Sequence, residues 1–129
     1  FQGLVFILDD NIELAKRQFQ SLLEKTDNPM SKTISQLYLL QIALLEEDHE
    51  KAEEYASNRG VKSFLSLKMA DTQIMQAWYQ FLVKKDRDQT DKAIKIARKN
   101  MVTSRLVRDE KRYYENWLAE LEKELSEGV

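Results

Sequence analysis

The sequence predicts an all-α fold, and three observations carry that prediction. Glycine and proline are scarce, three and one in 129 residues, where strands joined by many turns would need more. Apolar side chains recur at three- and four-residue spacing through most of the chain, the period of one helix face. Cap-forming polar residues stand ahead of most of these stretches.

Asp9, Asp10 and Asn11 offer an N-cap to a first helix whose apolar face is Ile12, Ala15, Phe19, Leu22 and Leu23. Asp27-Asn28-Pro29 stops it, because proline cannot continue a helix and disfavours α geometry before it. A second helix is expected from Ser31 through Leu45, apolar around nearly its whole circumference. Such a helix has to be buried on several sides. Glu46-Glu47-Asp48 reads as a turn with Asp48 capping a third helix, His49 to Asn58, which ends at Arg59-Gly60. Gly60 suits the left-handed position just past a helix end. Val61 to Met69 reads equally as a short helix or as the start of the next one. Asp71 or Thr72 opens a helix through Trp78 to Val83. Lys84 to Gln89 reads as a loop, and Thr90 as the cap of a helix over Asp91–Asn100. A last helix, 104–126, carries Leu106, Tyr113 or Tyr114, Trp117, Leu118, Leu121 and Leu125 on its apolar face.

No low-complexity tract or composition shift divides the chain, so a single domain is expected over residues 4–129. Phe1-Gln2-Gly3 looks like the remnant of a protease-cleavable purification tag. Leu4-Val5-Phe6-Ile7-Leu8 is apolar, and reads either as part of a truncated first hairpin or as the last turn of a membrane helix ahead of it. No run approaches the roughly 20 apolar residues of a membrane span, and no signal peptide is recognisable. The expected setting is the cytoplasm, free or tethered by an anchor before Leu4.

Apolar residues make up 43% and charged residues 33% of the chain, with a net charge of −2. Basic and acidic residues interleave, so no chain-wide positive field points to nucleic acid. With no cysteine, disulfides, thiolate zinc sites and cysteine nucleophiles are excluded. The single histidine, His49, excludes any site needing two imidazoles. General-base work by His49 needs a nucleophile and an orienting group, and no spacing supplies them. It reads as a surface or hairpin-packing residue. Glu46, Glu47 and Asp48 with Glu50, Glu53 and Glu54 lack the ligand pattern of a calcium loop and read as a solvated helix start. Lys84-Lys85-Asp86-Arg87 and the stretch from Arg98 and Lys99 through Arg105, Arg108, Lys111 and Arg112 form the most basic region, with Tyr113, Tyr114 and Trp117 close by. Those aromatics fall on the apolar face of their helix, so they read as core rather than as a stacking platform. The glycines, at 3, 60 and 128, form no phosphate-binding loop. No enzyme, cofactor or metal site is expected.

Three stretches are self-similar. Each has a polar turn, then a small residue, then a small or aromatic residue four positions later: Ala15 and Phe19, Ala52 and Ala56, Ala93 and Ala97. The periods between the anchor alanines are thus 37 and 41. This pattern resembles the tetratricopeptide repeat, a helix hairpin of about 34 residues. In that family a small residue sits where the second helix of the hairpin crosses the first, and Ala15, Ala52 and Ala93 match it. Asn28-Pro29 is similar to the proline that ends a unit. The periods are long and the Trp, Leu-Gly and Tyr pattern of the first helix is largely missing, with Leu40 and Ala43, then Phe81 and Lys84, at the Gly and Tyr positions.

The resemblance covers roughly residues 5–100 and implies a right-handed superhelix of about two and a half hairpins, closed by the last helix as a cap. It also implies a non-catalytic scaffold with a concave, peptide-holding groove. By register that groove would comprise Ile34, Leu37, Gln41 and Leu44 from one hairpin and Met75, Trp78, Leu82 and Lys85 from the next, with Trp78 as an anchor for a protein or peptide partner. The segment Val61–Met69, or the last helix, could instead fill it. Two other functions stay open: homo-oligomerisation, for instance a dimer through the last helix, and binding of a small molecule between helices.

Overall fold

A helix apolar on all sides organises the first half of the chain. In the computed structural model, which describes residues 7, 9, 11–103 and 106–127, this is α2, Pro29–Leu45. It follows α1 (Ile12–Lys25) and precedes α3 (His49–Ala56) and α4 (Arg59–Leu65). The second half holds α5 (Ala70–Tyr79), a π-helical turn (Gln80–Lys84), α6 (Arg87–Met101) and α7 (Arg108–Glu127). No strand occurs among the described residues, and the all-α expectation holds. The contacts fall into two compact units, Phe1–Leu65 and Ser66–Val129. The tag-like residues 1–3, Asp10, Ser104, Arg105 and most of the run 4–8 lie outside the described residues; Ile7 within that run is buried.

In the first unit, α2 starts two residues earlier than Ser31. Pro29 occupies its first turn, where a missing N–H costs nothing. Asn28 is the cap: its Oδ1 accepts from the Met30 and Ser31 amides at 2.9 and 3.2 Å. The six consecutive residues Leu39 to Leu44 are all buried. That is possible because α1, α3 and α4 each pack on α2. Ala15 and Phe19 from α1 and Ala52 and Ala56 from α3 are buried, and the Phe19 ring stacks on Tyr38 at 5.0 Å.

Gly60 departs from its expected role. Gly60 does not have a positive φ; it lies inside α4, whose start is capped by Asn58. A Cβ at this position would stand 2.7 Å from both Cγ2 and Oγ1 of Thr33 on α2. The glycine permits close helix approach rather than a left-handed turn. The region Val61–Met69 thereby resolves into the rest of a short helix and a linker.

In the second unit, α5 and α6 form a hairpin and α7 packs on both. α5 begins at Ala70, with Asp71 in its first turn and not at its cap. The hairpin turn also differs from the expected loop. Asp86, not Thr90, caps α6, its Oδ1 accepting from the Gln89 amide at 3.1 Å. Thr90 is fully buried within α6, and its hydroxyl donates to the Asp86 carbonyl at 2.8 Å. Ala93 and Ala97 are buried on the same helix, and Tyr114, Trp117, Leu118, Leu121 and Leu125 form the buried face of α7.

Candidate functional site

The residues expected to form a groove are mostly interior. Leu37, Gln41 and Leu44 of α2 and Met75 and Trp78 of α5 are buried; Ile34 and Leu82 are half-buried, and Lys85 alone is exposed. Trp78 shows what covers it. Its ring stacks on Trp117 of α7 at 5.8 Å and 15° between planes, and its Nε1 donates to the Trp117 carbonyl at 3.1 Å. Phe81 meets the same indole edge-on. Trp78 therefore spends both its apolar face and its one donor inside its own unit, and it offers a partner no anchor in this structure. Lys85 has another job: with φ 54° it is the left-handed residue that reverses the chain before Asp86.

Among the described residues, each unit carries a concavity. In the first, about 190 Å³ is bounded by Lys16, Gln20, Glu46, Asp48, Lys51 and Tyr55 above the aliphatic residues of α2. Its charges are already committed. Lys16 pairs with Glu46 at 3.0 Å, and that hydrogen bond, opposed by partial burial, holds the amine above its ordinary value. Lys51 pairs with Glu54 at 3.1 Å, and Asp48 caps α3 by accepting from the Lys51 amide. Paired exposed charges of this kind contribute little to stability. The acidic stretch is thus a capped and partly paired helix start, with His49 exposed at its head.

The second concavity lies at the open end of the α5–α6 hairpin, opposite the Lys85 turn. It measures about 350 Å³ and is lined by Lys68, Met69, Ala70, Asp71, Asn100, Thr103 and Leu106. Three chain segments meet there: the lead-in to α5, the last turn of α6 and the lead-in to α7. The surface around it is unusually apolar. Of the six large hydrophobic residues exposed among the described residues, four are in these segments: Leu67, Met69, Val102 at 80% and Val107 at 61% exposure. Asp71 at the mouth is half-buried, and desolvation raises its carboxyl above the ordinary value against the lowering effect of a 2.9 Å hydrogen bond from the Thr72 amide. Thr72 is tied in turn to the Leu67 and Met69 carbonyls, and Gln73 donates to Leu67 at 2.7 Å. These bonds hold the linker in place while leaving its apolar side chains outward.

The sequence alone does not single out this cleft. Its signal was present only as Leu67, Met69, Val102 and Val107 standing in linkers, outside any helical periodicity. No cluster of three or more His, Asp or Glu side chains able to hold a metal ion occurs among the described residues. Nor is any helix among them long and apolar enough to cross a membrane. Comparison with family models, with curated proteins and with solved structures finds no match. The tetratricopeptide resemblance rests on the residues that carry it.

Proposed function

We propose that this chain is a non-catalytic protein-interaction module, and that its contact surface is the open end of the second unit. One observation carries the reading: four exposed apolar side chains, Met69 in its lining and Leu67, Val102 and Val107 in the chain segments that contribute to it, accompany a mostly apolar cleft. Keeping such side chains in water is unfavourable by about 25 cal/mol per Å² of apolar surface, and contiguous apolar patches of this kind mark contact sites. The linker that carries Leu67 and Met69 is fixed by hydrogen bonds from Thr72 and Gln73 to its carbonyls. That part of the surface is therefore presented ready-made, which lowers the entropy lost on binding.

Self-association through the same patch is the rival reading, since an apolar surface can meet its own copy. Sedimentation equilibrium of the chain and of a Val102→Asp/Val107→Asp variant separates the two. A monomer over a wide concentration range leaves the patch to a different protein. A stable dimer that the double variant dissociates makes the chain an oligomerisation domain. A small-molecule site is less well supported: at about 350 Å³ the cleft is at the lower end of ligand pockets, and its Asn100 amide is already spent on the Ile96 carbonyl.

A further inference from the structure

We propose that the outward face of α6 docks on an anionic lipid bilayer, Lys92, Lys95 and Lys99 meeting the headgroups while Val102 enters the interface beside them. From Lys92 to Arg108 the chain holds six Lys or Arg and no Asp or Glu, although its net charge is −2. Helix register gathers half of those cations into one row. At about 100° per residue, Lys92, Lys95, Lys99 and Val102 share an arc of about 80°, and the row is about 15 Å long. Val102 keeps helical geometry just past the end of α6, with φ −61° and ψ −38°, and so continues the row. The buried residues of α6, Thr90, Ala93, Ala97 and Met101, lie on the opposite side. The three lysines are exposed, and Val102 is 80% exposed. The lysines enter no ion pair among the described residues. On α1 and α3, by contrast, opposite charges meet, Glu13 with Arg17 and Lys51 with Glu54. Lys99 suits the negative end of its helix, but that effect is confined to the last turn and does not reach Lys92 or Lys95. Like charges three and four residues apart disfavour one another, and an apposed anionic surface relieves that repulsion.

Shape and Val102 favour a bilayer over other polyanions. The row lies on the convex side of one helix, which a plane can meet along its length. Each lysine near an anionic leaflet adds to the attraction, and an exposed valine in line with them gains by leaving water. That valine gains nothing from the phosphates of a nucleic acid. Stacking of single-stranded bases needs exposed rings, yet Tyr114 and Trp117 are buried and Tyr113 is half-buried. Asp88 stands on the same arc four residues before Lys92, in the first turn, where a carboxylate complements the helix's positive end. Contact led by the Val102 end keeps Asp88 farther from the headgroups. Val102 also belongs to the open-end patch, whereas the three lysines do not line the cleft, so mutation separates the two surfaces.

The test uses the full chain and vesicles of phosphatidylcholine, alone or with about 30% phosphatidylserine, read by co-sedimentation. Binding is expected on the anionic vesicles only, and should fall as salt rises from about 0.05 to about 0.5 M. Lys92→Gln/Lys95→Gln/Lys99→Gln should weaken it about tenfold or more. Lys25→Gln/Lys32→Gln/Lys62→Gln makes the same charge change at exposed sites of the first unit and should weaken it far less. Circular dichroism checks that both variants are folded. The chain has no cysteine, so an environment-sensitive dye can be attached at Val102→Cys alone. Its emission should shift to the blue on anionic vesicles, while the same dye at Met30→Cys, a site 58% exposed in the first unit, should not respond. No binding to the anionic vesicles, equal losses in the two triple variants, or a dye at Val102→Cys that stays in water overturns the proposal. A duplex oligonucleotide that binds through the three lysines while the vesicles stay unbound overturns it too. None of these outcomes touches the interaction reading, whose own test is the oligomeric state and the Val102→Asp/Val107→Asp variant.

Discussion

The two hairpin turns of this chain are built alike, while the helices they join are held together differently. Glu47 and Lys85 both sit at φ 54°, and each is followed by an aspartate that caps the next helix at 3.1 Å. Four residues past each cap a small side chain, Ala52 or Thr90, is buried. The caps are 38 residues apart, so the turns define a register that differs from the 41 residues between Ala52 and Ala93. Beyond the turns the likeness ends. In the first unit α2 meets α4 closely enough that Gly60 has no room for a Cβ. In the second, Trp78, Trp117, Phe81, Tyr113 and Tyr114 are in ring contact with one another. Turn chemistry decides where a hairpin reverses; side-chain volume decides how near its neighbours come. The α2–α4 approach is set by a glycine, the α5–α7 approach by stacked indoles.

The comparison breaks most severely at Trp78. Trp78→Ala should cost about 3–5 kcal/mol, the range for truncating a buried large aromatic, and deprotect amides of α5, α6 and α7 first in hydrogen exchange. Trp78→Phe keeps a ring on Trp117 but loses the hydrogen bond, and should cost less. If Trp78→Ala unfolds at the wild-type denaturant midpoint, the second unit is not closed by its aromatics.

Gly60→Ala is the matching change in the first unit. Alanine is the better helix former by about 1 kcal/mol, so an open site would be stabilised. Here the new methyl meets both branches of Thr33, whose hydroxyl is also tied to the Pro29 carbonyl at 3.0 Å. Overpacking should win and destabilise by about 1–3 kcal/mol. Adding Thr33→Ala should recover most of that loss. A non-additive rescue is what a shared contact requires, and a stable Gly60→Ala single variant would remove the close-packing account.

These positions also show how far the sequence could be read. The helices, the Pro29 break and the Asp48 cap are local features, set by residues within one turn of each other, and they were legible. Gly60 was not, because a glycine after Asn58-Arg59 looks the same whether it ends a helix or lets one approach Thr33, 27 positions away. Asp86 and Thr90 are both good caps; the choice followed from where the π-helical turn ended α5. Trp78 on an apolar face is equally an anchor for a partner or for its own chain, and only Trp117, 39 residues on, decides. The cleft is the extreme case. Its walls come from Lys68 to Asp71 and from Asn100, Thr103 and Leu106, and no periodicity links the two stretches.

Removing each cap probes the shared part of the design. Asp48→Ala and Asp86→Ala should each cost about 1 kcal/mol, the ordinary value for losing a side-chain cap, and equal losses in denaturant midpoint are expected if the turns are equivalent. A loss several times larger at one of them would mean that the aspartate also supports packing there. Each cap is tied to its neighbours differently. The Thr90 hydroxyl donates to the Asp86 carbonyl, whereas Ala52 has no hydroxyl to do so. Thr90→Ala is therefore expected to bring the second turn closer to the first in its response to cap removal.

The smallest effect lies at Asp71, a carboxyl whose burial outweighs its hydrogen bonds. Its folded-state pKa is raised, so between the unfolded and folded values the native state holds more protons than the unfolded chain. Stability then falls as pH rises through that window, the reverse of a paired carboxylate. Other carboxylates titrate over the same range, so the informative quantity is the difference between the wild type and Asp71→Asn, whose side-chain oxygen can still accept from the Thr72 amide. That difference should shift in favour of the variant as pH rises from about 3 to about 6, tracked by urea midpoints at each pH. At the first unit's concavity the shifted group is instead an amine, Lys16, raised by its hydrogen bond to Glu46. A pH-independent difference would mean that Asp71 is as well solvated in the cleft as in the unfolded chain, and the cleft floor would be wetter than its apolar lining indicates.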